Sequence, residues 1–109
     1  MKVGTFRFDG FDWDSSNFFH CQLHGVTISE IEEFFTQDLL YFEDERHSLD
    51  EKRWIAVGLN RKERYIFVAY TIRRKGSEIL IRSISARYCH KKEIKIYEEI
   101  KEKIFKERS

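Results

Sequence analysis

Three stretches in close succession limit what this chain can fold into: "RWIAVGLN", "RYIFVAYTI" and "ILIRSISAR". The first alternates Ile55, Val57 and Leu59, the period of a strand whose side chains point to opposite faces in turn. The second is dense in β-branched and aromatic residues, which suit a pleated surface. The joints between them, "NRKE" and "RRKGSE" with Gly76, are short polar turns. Turns that short join antiparallel neighbours, because parallel strands need a long crossover. The expectation is an antiparallel meander of three to four strands.

Helices flank this sheet. "TFRFDGFDW" reads as a short strand through Phe6 and Phe8, broken by the turn at Asp9-Gly10. Asp14 or Ser15 caps a helix over residues 15–24, and Gly25 stops it. In "TISEIEEFF", Thr27 and Glu30 have the spacing of a capping box. Ile28, Ile31, Phe34 and Phe35 then fall on one helical face. The apolar run from Leu39 to Phe42 leads into an acidic loop. The tail "HKKEIKIYEEIKEKIFKERS" places Ile94, Tyr97 and Ile104 at helical spacing between Lys and Glu. Two N-terminal helices, a meander and a C-terminal helix make an α+β fold. The 109 residues suit a single domain over 1–109, since the absence of Pro and the five Gly leave no linker composition.

Several classes drop out. No apolar run is long enough to span a membrane, and the N-terminus has no apolar signal segment. The expected location is the cytoplasm, with Cys21 and Cys89 as reduced thiols. No P-loop, dinucleotide fingerprint, HExxH or nucleophile-elbow motif occurs, so no cofactor is implied. His20 and His24 share the i, i+4 spacing of two metal ligands, but no third ligand accompanies them, so no metal site is expected. The net charge of +1 hides an asymmetry. Residues 1–51 carry three basic and twelve acidic residues, and residues 52–109 carry seventeen basic and seven acidic. The second half reads as polyanion-facing, or else as one end of an inert dipolar surface.

The third strand candidate is the odd one. By alternation Ile79, Ile81, Ser83, Ser85 and Arg87 point one way, and Leu80, Arg82, Ile84 and Ala86 the other. Both faces are mixed. Arg82 is either fixed on a half-open sheet face as an anion clamp, or packs its stem and sends its head to water. His24, placed at a helix end, either complements the helix dipole or moves protons. His47, in the loop "EDERHSLDEKR", is open to the same two readings.

The segments "FDWD", "NFFHCQLHGVTISEIEEFF", "DERHSLDEKRWIAVGLN", "RYIFVAYTI" and "IRSISARYCHKKEIKIYEE" together resemble the BrnT family, from about Phe8 to Glu99. The resemblance implies a RelE-like fold and a ribonuclease toxin of a type II toxin–antitoxin pair. Such a toxin inhibits translation by cutting RNA without a metal. It is neutralised by a BrnA-like antitoxin, commonly as a heterotetramer, and meets operator DNA only through that antitoxin. The resemblance implies Arg82 and Arg87 as phosphate clamps, joined by Arg53. It makes His24 and His47 candidate proton shuttles, and places Arg64 and Tyr97 among substrate contacts. Leu23 departs from the pattern, since members often carry Lys before His-Gly. The competing reading is a catalytically degenerate binding module that acts only within an antitoxin complex.

Overall fold

The structure, a computed structural model, describes residues 1–108. Among these residues six strands, three α-helices and one 3-10 turn follow in the order β1 (Lys2–Gly4), β2 (Gly10–Phe11), α1 (Ser15–His20), α2 (Ile28–Phe34), β3 (Leu39–Glu43), the turn Glu45–His47, β4 (Trp54–Leu59), β5 (Tyr65–Lys75), β6 (Glu78–Tyr88) and α3 (Lys91–Arg108). The fold is α+β, with one sheet in the order β1-β3-β4-β5-β6-β2. It is wider than expected from sequence and is mixed, because β2 lies parallel to β6 at one edge while the other pairs are antiparallel.

Phe6 and Phe8 are not a strand. They lie between β1 and β2, and both rings pack on the core. Phe6 stacks on Phe35 at 5.7 Å and meets Tyr41 edge-on at 5.1 Å. Ring burial holds this segment in place of a hydrogen-bonded ladder.

Helix α1 ends at His20, earlier than the expected 24. Beyond it the chain tightens into i→i−3 bonds, Gln22 N to Phe19 O and Leu23 N to His20 O. That tightening lets Cys21 and Val26 both reach the core. Gly25 then takes φ +88, which a side chain would resist. His24 is therefore exposed in a turn, away from the helix end that sequence assigned to it. Both helix starts form capping boxes, Asp14 with Asn17 and Thr27 with Glu30.

Two apolar layers sandwich the sheet. On the side of α1 and α2, Ile31, Phe34 and Phe35 pack on Ala56, Ile66, Val68, Tyr70, Ile81 and Ala86 of the sheet. On the opposite face Ile55, Val57 and Ala69 pack with Phe67, Ile84, Cys89 and Tyr97 of α3. Both cysteines are free thiols. Among the described residues, no helix is long and apolar enough to cross a membrane.

Strand β6 breaks its own alternation. Ala69 pairs with Ser85 but Tyr70 pairs with Ser83, so Ile84 is an extra residue, a β-bulge. Strand β5 runs straight past it. Arg82 lies opposite Thr71, and Arg87 opposite Phe67. Thr71 and Phe67 are four apart on a regular strand and share a face. The two arginines therefore share a face as well, correcting the expectation from simple alternation.

Candidate active site

The arginine-bearing face is the one that α3 covers only in part. Tyr97 and Lys101 of α3 lie near Leu40, Val57 and Tyr65, towards one end of the strands. Towards the other end a row crosses three strands. Trp54 pairs with Tyr70, so Arg53 stands one step further on, beside Thr71, and Thr71 pairs with Arg82. At roughly 4.8 Å per strand, the Arg53 and Arg82 backbones are about 10 Å apart. Two long side chains can close on one phosphate across that gap.

The surroundings of the two arginines differ. Arg82 is only 15% exposed and is tied to the chain just before and within α1. It donates to Ser16 Oγ at 3.3 Å and to the Asp12 carbonyl at 3.4 Å, and it pairs with Asp14 at 3.0 Å. The Ser16 hydroxyl, the Asn17 backbone N–H and the Arg82 charge hold the Asp14 carboxyl at about 2. Arg53 has no ion pair among the described residues. Its carbonyl accepts from Asp44 N at 2.8 Å, and the Asp44 carboxylate in turn holds His47 Nδ1 at 2.8 Å. His47 thus stands at the Arg53 end of the row.

At the Arg82 end, an open groove is lined by Ser16, Asn17, His20, Arg82 and Ile84. His20 is the residue that sequence reasoning passed over, having weighed it only as a metal ligand. Its signal was present: Ser16 and His20 are four apart on a helix capped by Asp14, so both look out over one edge. Asn17, buried between them and the sheet, donates to the carbonyls of Asp12 at 2.9 Å and Ser83 at 3.0 Å. Ser83 takes a 3.3 Å contact from the Cys21 thiol. Ser83 thus anchors α1 on the helix side and is no part of the arginine face.

The remaining candidates separate. Arg87 makes a two-pronged pair with Glu93, both bonds 2.8 Å, and lies 4.3 Å from the Phe67 ring centre. That pair pulls the Glu93 carboxyl down to about 2, and Glu93 also accepts the His90 N–H at 2.9 Å. Arg87 therefore docks the start of α3. Tyr97 packs in the same layer, where burial pushes its hydroxyl above the usual tyrosine range. Arg64 is on the other face, 3.6 Å over the Tyr88 ring, whose hydroxyl donates to Glu30 at 2.8 Å. His24 is exposed beside Gly25, where a Cβ would stand 4.0 Å from the Tyr88 ring, and so belongs to that face too. Among the described residues, no three His, Cys, Asp or Glu side chains are grouped to hold a metal ion.

The charge asymmetry along the chain is partly offset by ion pairs in the fold. Acidic residues of 1–51 pair with basic ones of 52–109: Glu33 with Arg61, Glu51 with Arg73, Asp12 with Lys75, Asp14 with Arg82. Folding interleaves the halves.

A family model described as the ribonuclease toxin, BrnT, of type II toxin-antitoxin systems matches residues 13–93. The match runs from the residue before the α1 cap to Glu93, the carboxylate that holds Arg87. No curated protein matches closely enough to count as a relative.

Proposed function

The chain belongs to the BrnT family of type II toxin–antitoxin ribonucleases, and from that premise we propose that the Arg53–Arg82 row is the site of a metal-independent RNA cleavage. The observation that carries it is the bulge at Ile84, which leaves Arg82 on the face of Arg53 at the end α3 does not cover. RNA supplies its own nucleophile. The 2′-hydroxyl attacks the adjacent phosphorus, the O2′–P bond forms, and the P–O5′ bond breaks. One group takes the 2′ proton, another gives a proton to O5′, and fixed cations hold the charge on the phosphoryl oxygens.

Arg53 and Arg82 hold those oxygens. Arg82 leaves Asp14 to do so, exchanging one oxyanion for another. His47, oriented by Asp44, and His20, in the groove beside Arg82, flank the row at opposite ends, as an in-line displacement requires of its base and acid. Arg87 and Tyr97 position α3 and touch no substrate. Arg64 and His24, on the other face, take no part in phosphoryl transfer. In the cell the activity inhibits translation in the cytoplasm. A BrnA-like antitoxin neutralises it in a heterotetramer that meets operator DNA through the antitoxin, and the fold is grouped with the RelE toxins.

A second reading, a toxin-like module without catalysis, is favoured by one feature: Arg82 and Arg87 already have carboxylate partners. An RNA cleavage assay in EDTA decides between them. The enzyme reading expects fragments ending in a 2′,3′-cyclic phosphate, and growth arrest on expression without antitoxin. Soluble wild-type protein that leaves RNA intact would establish the module reading instead.

A further inference from the structure

Thr71 stands between the two arginines and has a buried hydroxyl with no partner. Its residue exposure is 2%, and among the described residues its Oγ1 is the buried side-chain nitrogen or oxygen that lacks a hydrogen bond. The position is mid-strand in β5, where Val or Ile would fill the same space at no polar cost. The neighbouring buried polar side chains behave otherwise. Asn17 and Ser83 are both bonded, to each other's strand or helix. Thr71 is thus an isolated expense, and its place in the row explains it.

We propose that Thr71 is a third donor to the reacting phosphate, its hydroxyl bonding a non-bridging oxygen between the guanidiniums of Arg53 and Arg82. Arg82 is its direct cross-strand partner and Arg53 stands one step beyond the Trp54–Tyr70 pair on the other side. Cross-strand Cβ atoms lie roughly 5 Å apart, so both arginine stems flank the threonine closely. In the structure the Arg82 guanidinium is drawn to Asp14 and Ser16, while the Thr71 hydroxyl is buried. When Arg82 turns to a phosphate, the hydroxyl gains its acceptor. The bond is thus made on the substrate and strengthens as charge grows on the oxygen. The inference rests on the ribonuclease reading, and its test separates the two.

The test compares Thr71→Val and Thr71→Ser with wild type, using a fluorescent RNA oligonucleotide and its 2′-O-methyl analogue, which binds without being cleaved. Thermal melting comes first: Thr71→Val is expected to melt at or above the wild-type temperature, since it removes an unsatisfied hydroxyl and keeps the shape. Its cleavage rate is expected to fall at least tenfold, while Thr71→Ser keeps most of the activity. A merely structural threonine would not give a variant that is as stable and less active. If wild type cleaves and Thr71→Val cleaves equally well, the phosphate contact is overturned and the ribonuclease reading stands. If wild type does not cleave but Thr71→Val weakens binding of the 2′-O-methyl strand, catalysis is overturned and the contact stands. No cleavage and no loss of binding overturns both.

Discussion

Arg53 and Arg82 lie in one row but should answer substitution differently. Arg53 has no ion pair among the described residues, so Arg53→Ala is expected to leave the melting temperature nearly unchanged. If it holds phosphate as proposed, its loss removes a charge-assisted bond of about 1.5–3 kcal/mol, which is roughly a ten- to hundredfold fall in cleavage. Arg82→Ala removes the same kind of bond and also the ties of β6 to Asp14, Ser16 and the Asp12 carbonyl, so both activity and melting temperature are expected to fall. Kinetics and thermal scans on the two variants check this; equal melting losses would show that Arg53 has a structural partner. At this scale the sequence was legible in part. Arg82 stood out as a charge on an apolar strand. His20 and Thr71 did not, because a histidine on a short helix and a threonine in a strand are ordinary until their neighbours across the sheet are known. Arg87 was equally conspicuous, but its ion pair with Glu93 could not be read from the strand, because Glu93 lies on the next element.

Elements carry two further expectations. Glu93 joins α3 to β6 through Arg87, and its carboxyl sits at about 2 instead of the ordinary 4.5. A depressed carboxylate adds stability that is complete above its unfolded value and is lost as pH falls towards its folded one. The docking of α3 should therefore weaken between about pH 4.5 and 2. Acid titration followed by circular dichroism checks this, and Glu93→Gln should flatten that part of the curve. Gly58, in the middle of β4, is there for space. A Cβ on it would stand 2.5 Å from Leu39 Cδ2 and 3.2 Å from Phe34 Cε2. Gly58→Ala should cost about 1–3 kcal/mol by overpacking, a fall of several degrees in melting temperature. The hairpins, the Thr27 capping box and the α3 helix could be read from local pattern, since turns and caps are local chemistry. The parallel β2–β6 pair could not, because two residues, Gly10 and Phe11, carry no periodicity and their partner lies some seventy positions away.

At the scale of the whole molecule, the charge asymmetry along the chain becomes a set of ion pairs across the fold. On the arginine face Arg73, Arg82 and Arg87 each have a carboxylate partner. RNA binding should then be only weakly salt-dependent for a nucleic-acid enzyme. With two or three phosphates neutralised, log affinity should fall against log salt with a slope of about −1.4 to −2.1 for single-stranded RNA. Fluorescence anisotropy over a salt series measures it, and a slope several times steeper would mean a larger basic surface than the fold presents. The ion pairs were hidden from sequence because each joins residues that only the sheet brings together.

The extra residue in β6 has a consequence for how this chain can change length. Five positions separate Arg82 from Arg87, an odd number, and odd spacing on a flush strand means opposite sides. Ile84 restores the parity. Removing its single codon should close the ladder with four positions between the two arginines, an even spacing that keeps both on one face and leaves the β5 partners of Ser85 to Tyr88 unchanged, so that the only loss is the apolar contact of Ile84 itself. The strand therefore takes up a change of one residue at Ile84 without turning any neighbour over.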